Sequence, residues 1–169
     1  MNKDLKDLQK AIGIQFKDES YLKTATTHRS FLSENRDADI HNERLEFLGD
    51  AVLELVVTEY LYNEFDKPEG ELTNYRASLV RGAKLAEISE KFNLISYLKM
   101  SKGEAKGSER ARQYIVANAV EALIGAIYLD QGFDKAKEFI TRAINSGVNV
   151  GRGCGPTDPY SHIRAKLER

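Results

Sequence analysis

Residues 114–129 constrain the fold more than any other stretch. Apolar side chains there fall on nearly every side of a 3.6-residue helix, leaving almost no solvent face. A helix of that kind belongs at the centre of a core. The run is also too short to span a membrane, which needs about 20 apolar residues. The rest of the chain therefore has to wrap around it. The composition agrees with a globular chain: 41% of residues are hydrophobic and 30% charged. Those fractions exclude disordered, collagenous and fibrous chains. At 169 residues the length fits one domain with a tail.

The wrapping elements read as helices too. Leu5, Leu8 and Ile12 keep the 3–4 spacing, and Gly13 stops that first helix. Asp18 is placed to cap a second, carrying Tyr21, Leu22 and Ala25. His28 is expected to close that helix as a capping or packing residue. Residues 34–41 read as a loop. A long helix is expected over 43–62, with Leu45, Leu48, Val52, Leu55 and Val56 on one apolar face. Pro68-Glu69-Gly70 breaks it. Helices over 72–80 and 83–92 are hinged at Gly82, residues 101–107 form a loop, and a last helix covers 133–144. Gly147, Gly151, Gly153, Gly155 and Pro156 make a flexible linker, and residues 161–169 are expected to begin a further helix. No strand series is present, so the class is all-α. The expected division is 1–147 for the folded domain and 148–169 for linker and tail.

Cys154 is the only cysteine, which excludes an intramolecular disulfide and a multi-cysteine zinc site. In its flexible linker it is a poor nucleophile candidate. The charged N-terminus leads into an amphipathic stretch, not a signal peptide, so a reducing, cytoplasmic setting without membrane contact is expected. Net charge is −1, but it is unevenly spread. Residues 34–64 hold nine acids and two basics, whereas residues 76–112 hold nine basics and four acids. An acidic block followed by a basic block is what a cation site facing a polyanion would show. Two solvated helix faces would show it as well.

At 100° per residue, Glu46, Asp50 and Glu54 fall at about 300°, 340° and 20° relative to Glu43. Like charges at that spacing destabilise a helix by a few tenths of a kcal/mol per pair. No lysine relieves them along the stripe. Glu46 and Asp50, four apart, can share one hard, oxygen-ligated ion such as Mg²⁺. Gly49 inside the same helix, at a cost of about 1 kcal/mol against Ala, marks a close approach of a ligand or of another helix. Asn118 and Glu121 form a second pair on one face of the apolar helix. Glu121 sits among Ala119, Val120, Ala122 and Leu123, and a buried carboxylate needs a partner or a metal. Other chemistries lack their residues. None of His28, His41 or His162 completes a Glu-x-x-His pair, and no Gly-Lys-Ser/Thr phosphate loop occurs.

The stretch from His41 to Leu53, with Asn42-Glu43-Arg44-Leu45-Glu46-Phe47-Leu48-Gly49-Asp50 at its heart, closely resembles the signature of the ribonuclease III endonuclease domain. Further blocks match in order: Thr27-His28-Arg29-Ser30, then Glu69-Gly70-Glu71-Leu72-Thr73 with Arg76-Ala77, then Ser101-Lys102-Gly103-Glu104, then Glu121-Ala122-Leu123-Ile124-Gly125 through Asp130. Together they cover roughly residues 3–146. The resemblance implies an all-α, homodimeric endonuclease. It would cut double-stranded RNA with Mg²⁺, or Mn²⁺ as substitute, leaving 5′-phosphate and 3′-hydroxyl ends with short 3′ overhangs. Processing of rRNA and mRNA precursors is the implied role.

Carried over by position, Glu46, Asp50, Asn118 and Glu121 are the implied metal ligands, with Asp50 and Glu121 catalytic. Glu43 and Glu69 match auxiliary acidic positions. Phe47 matches an aromatic that plugs into the partner subunit. Asn118 departs from the family, where many members have Asp. Full-length bacterial members carry a double-stranded-RNA-binding domain after the linker, which a chain ending at Arg169 is expected to lack. Two metal ions about 4 Å apart can activate water and stabilise the leaving oxygen. Lys102, Lys106 and Arg76 in the basic block can meet RNA phosphates. A catalytically silent subunit of the same fold stays open as the alternative, because of Asn118. A helical adaptor is the third reading.

Overall fold

The computed structural model describes residues 4–35 and 39–145. The Gly-rich linker, Cys154 and the expected helix at 161–169 lie outside the described residues. Nine α-helices and one 3₁₀ turn are present among those described: α1 (Leu5–Ile12), α2 (Glu19–Ala25), α3 (Ser30–Glu34), α4 (Glu43–Glu64), α5 (Glu69–Val80), α6 (Gly82–Glu90), the 3₁₀ turn Leu94–Tyr97, α7 (Lys102–Ala105), α8 (Glu109–Gln131) and α9 (Phe133–Asn145). The all-α expectation holds. The one β feature among the described residues is an isolated bridge between Thr27 and Lys99.

Helix α8 is the axis of the core. All six residues 122–127 are buried, as a helix apolar on every side requires. Helices α4, α6, α2 and α9 pack around it. Its closest neighbour is α4, and two glycines set that crossing. A methyl group on Gly49 would collide with the carbonyl of Glu121, and one on Gly125 would collide with the carbonyl of Leu45. The two backbones thus approach through reciprocal notches. Gly49 is a packing notch, not a ligand approach. Because it lies between Glu46 and Asp50, and Gly125 lies one turn after Glu121, the notch brings the two acidic pairs face to face.

Several boundaries differ from the sequence reading, each for a local reason. Helix α5 starts at Glu69, directly after Pro68, whose ring suits the residue before a first turn. Helix α8 starts at Glu109, because the Ser108 side chain accepts the Ala111 amide and caps it. Within the expected loop 101–107, Ser101 caps the short α7 through the Glu104 amide. His28 does not close α2. Its Nδ1 accepts the Ser30 amide at 3.2 Å, so it opens α3. Leu55 is not on the apolar inner face; it is 56% exposed. Helix α4 is apolar on two sides, so its inner stripe does not reveal which outward residues also avoid water.

The long-range tie at the α2 entrance is Asp130. Its carboxylate accepts the amides of Lys17 and Asp18, each at 2.9 Å. Burial alone would raise the Asp130 pKa, but these two amides and Gln131 outweigh it and hold it below its ordinary value. A depressed carboxylate stabilises the fold above its ordinary pKa of 3.8 and loses that contribution as pH falls through the depressed value. Asp130→Asn is therefore expected to lower stability at pH 7 by about 1 kcal/mol. The difference in urea unfolding should close as the pH is taken below about 4. An unchanged midpoint at pH 7 would contradict the assignment.

Candidate metal and nuclease site

Each acidic side chain has a defined origin. Glu46 and Asp50 project from consecutive turns of α4, on either side of the Gly49 notch. Asn118 and Glu121 project from the facing turn of α8. The Asn118 amide faces Glu46 closely enough to favour its ionised form. Glu46 is half-buried and Asp50 exposed, so the set opens toward solvent from a partly dry floor.

The electrostatics are lopsided. Burial first, then the charges of Asp50 and Glu46, push the Glu121 carboxyl from 4.5 up to about 7. Burial, the charge of Glu43 and that of Asp50 hold Glu46 above its ordinary value, against the pull of Asn118. No Lys, Arg or His forms an ion pair with Glu46, Asp50 or Glu121 among the described residues. Nor are three or more His, Cys, Asp or Glu side chains drawn together closely enough to hold a metal ion among the described residues. The donors are three carboxylates and one amide oxygen, without sulfur or imidazole. That set fits a hard divalent cation.

The acidic stripe of α4 divides. Glu43 turns away to Arg29, 3.3 Å off, and His41, 3.8 Å off. Glu54 is exposed farther along the helix. Glu69 is not brought to the acidic set within one chain. It stands on the first turn of α5, accepting the Thr73 hydroxyl at 2.9 Å. There it lines a cavity of about 460 Å³ with Thr58, Leu61, Tyr62, Lys67, Leu72, Thr73 and Arg76. That cavity lies toward the C-terminal end of α4, about 12–18 Å along the helix from Asp50. Arg76 belongs to the same place, donating to Thr58 Oγ1 at 3.1 Å.

Lys102 and Lys106 are exposed on α7 and its end. Helix α7 is held to α3 by side chains. Ser30 Oγ accepts the Ser101 amide at 3.0 Å, and Glu34 accepts the Lys102 amide at 3.0 Å. Ser30 Oγ also meets His28 Nδ1 at 2.8 Å. This clamp was missed in the sequence because its partners are about 70 residues apart. Phe47 is where an interface anchor would be, 84% exposed. Leu55 and Tyr62 share its side of α4 and are 56% and 78% exposed. Their spacing of eight and seven residues from one to the next was the available signal.

Facing carboxylates on two crossed helices, with exposed lysines on α7, are what a helical nuclease presents to a metal ion and a polyanion. The Ribonuclease-III-like family model matches residues 18–147. The ribonuclease 3 of Aliivibrio fischeri is 44% identical over 170 residues, covering 99% of this chain and 74% of the relative. That of Clostridium acetobutylicum is 49% identical over 145 residues, covering 85% and 63%. A solved nuclease domain of ribonuclease III from Campylobacter jejuni, described for structural flexibility in its region involved in dimer formation, is 39% identical. It superposes with a TM-score of 0.79 over 87% of this chain and 100% of that one. The chain belongs to the ribonuclease III family and is an endoribonuclease of that type. Enzymes of this family are generally metal-dependent.

Proposed function

We propose that the chain is a Mg²⁺-dependent, homodimeric endoribonuclease that cuts double-stranded RNA to 5′-phosphate and 3′-hydroxyl ends. The observation that carries this is Glu121, raised to about 7 among Glu46 and Asp50, with no cation among the described residues paired to it. Glu46, Asp50 and Glu121 would hold the metal, with the Asn118 carbonyl as a neutral fourth donor. Bound there, divalent ions supply an activated water and neutralise charge on the leaving oxygen. Mn²⁺ offers the same oxygen preference and is the expected substitute. Asn118 also favours the ionised form of Glu46, the form that binds a cation. Lys102 and Lys106 supply phosphate contacts, and Arg76 shapes the cavity. A-form RNA offers mainly shape, phosphates and 2′-hydroxyls, so little sequence preference is expected.

The dimer reading rests on the outer side of α4. Phe47 is a knob near one end of that helix, and the cavity is a recess near the other. Two copies related by a two-fold axis can exchange knob and recess reciprocally. That exchange sets Glu69 of one subunit beside Phe47 and Glu46 of the other, which accounts for an auxiliary acid so far from its own site. Two sites then face one duplex, one for each strand. We assign residues 1–147 to this domain and 148–169 to a linker and tail. The implied setting is the cytoplasm, where rRNA and mRNA precursors supply duplex substrates. No helix among the described residues is long and apolar enough to cross a membrane.

A long duplex RNA tests the reading in a Mg²⁺ titration, with the wild-type chain and Asn118→Asp side by side. Cleavage is expected with Mg²⁺ and none with chelator. Asn118→Asp adds a charged oxygen, so its activation curve should move to lower Mg²⁺ without moving the cleavage position. If wild-type protein binds the duplex but stays inactive at every Mg²⁺ and Mn²⁺ concentration, and Asn118→Asp restores cutting, the chain is a silent subunit instead.

A further inference from the structure

Tyr114 has no role in the fold or in the reading above. It is 69% exposed on the first half of α8, whereas Ile115, Val116 and Ala117 beside it are buried. Its phenol makes no hydrogen bond among the described residues. Relative to Asn118, Tyr114 falls at about −40° around the helix and Glu121 at about −60°. All three therefore share one narrow face. Tyr114 stands one turn, about 6 Å, before Asn118.

Side chains on a helix lean toward its N-terminus, so the ring lies over the turn of Arg110 and Ala111. Ala111 in turn lies against Gly107, where a Cβ would come within 3.6 Å of the alanine methyl. The face therefore reads in order: the Glu121 carboxylate and the Asn118 amide, the aromatic Tyr114, then the cations Arg110 and Lys106. A polyanion that reaches from the cations to the acids must pass over Tyr114.

Duplex RNA presents no unstacked base for a ring to take up. Its shallow minor groove presents ribose 2′-hydroxyls. A phenol both donates and accepts, as a 2′-hydroxyl does. We propose that Tyr114 is a substrate-contact residue whose hydroxyl hydrogen-bonds a ribose 2′-hydroxyl beside the cleaved phosphate, and that it thereby favours RNA over DNA. The inference rests on duplex RNA being the substrate.

The test uses Tyr114→Phe and Tyr114→Ala on an all-ribose duplex and on duplexes with single 2′-deoxynucleotides walked across the cleavage region. kcat and KM are measured with Mg²⁺, and binding by fluorescence anisotropy of a labelled duplex in chelator. Tyr114→Phe is expected to raise KM and weaken binding ~5- to 10-fold on the all-ribose duplex, with kcat unchanged. On the duplex lacking one particular 2′-hydroxyl, wild type should fall to the level of Tyr114→Phe, and the variant should lose nothing more. Tyr114→Ala should lose more, because the ring contact goes as well. Wild-type KM and binding for Tyr114→Phe would overturn the assignment. So would an equal loss on every deoxy-substituted duplex, which marks a phosphate contact. A wild-type protein that neither binds nor cuts duplex RNA would instead sink the substrate reading, and this contact with it.

Discussion

Glu121→Gln is expected to cut duplex RNA on the order of 10²- to 10³-fold more slowly than wild type, yet to melt at a higher temperature in chelator. The two effects share one cause. The ionised Glu121 is half-buried beside Asp50 and Glu46, which pushes its carboxyl from 4.5 to about 7. A raised carboxyl binds its proton more tightly in the fold than in the unfolded chain. Below pH 4.5 both states are protonated and nothing is lost. Between 4.5 and about 7 the fold loses stability, and above 7 the loss is complete. In full it would reach about 3 kcal/mol, but Glu121 is partly open to water, and solvent screening brings it to ~1–2 kcal/mol.

Gln carries no charge, so it escapes that penalty while removing a charged metal ligand. In calorimetry at pH 8 with chelator, Glu121→Gln should melt ~3–6 °C above wild type, and the two should converge near pH 4. Saturating Mg²⁺ should reverse the order, because only wild type has the full ligand set to be stabilised by binding. Equal cleavage by Glu121→Gln would remove Glu121 from the site. A variant less stable than wild type at pH 8 in chelator would show that the charge is relieved by the protein itself.

The pairing of these polar residues on two helix faces was legible in the sequence because helical periodicity preserves it. Glu46 with Asp50, and Asn118 with Glu121, are spaced so that each pair shares a face whatever the tertiary packing. Facing the pairs toward each other depends on the Gly49 and Gly125 notches, and only Gly49 stood out as a misplaced glycine. Gly125 sits in the apolar run from Ala122 to Ile127, where a glycine attracts no notice. The clamp on α7 was not legible. Ser30 and Glu34 accept amides from Ser101 and Lys102, and nothing local marks a side chain whose partner is a backbone group on a distant segment. Glu69 was grouped with the acids by resemblance, yet within one subunit it sits at the cavity beyond Tyr62. Leu55 failed differently. Its 3–4 spacing with inward residues matches equally well the outward series that includes Phe47 and Tyr62.

That outward series leads to the second large effect. Phe47→Ala is expected to raise the dimer dissociation constant about 100-fold, which corresponds to ~3 kcal/mol for an aromatic anchor buried in a partner's recess. Phe47 is 84% exposed within one subunit, so the monomer's own unfolding should move by less than ~0.5 kcal/mol. Sedimentation equilibrium separates the two quantities. Cleavage should then depend on enzyme concentration, failing below the new dissociation constant and recovering above it, because Glu69 of the partner subunit is restored only in the dimer. A variant that fills the recess supplies the independent check. Thr73 lines the cavity and is exposed, so Thr73→Trp should be tolerated by the monomer while excluding the incoming ring. If Phe47 enters that recess, Thr73→Trp weakens the dimer comparably, and the double variant is hardly worse than either single change. Additive losses would show that Phe47 and the cavity belong to different contacts. A dimer indifferent to both changes would show that the outer face of α4 is not where two copies meet.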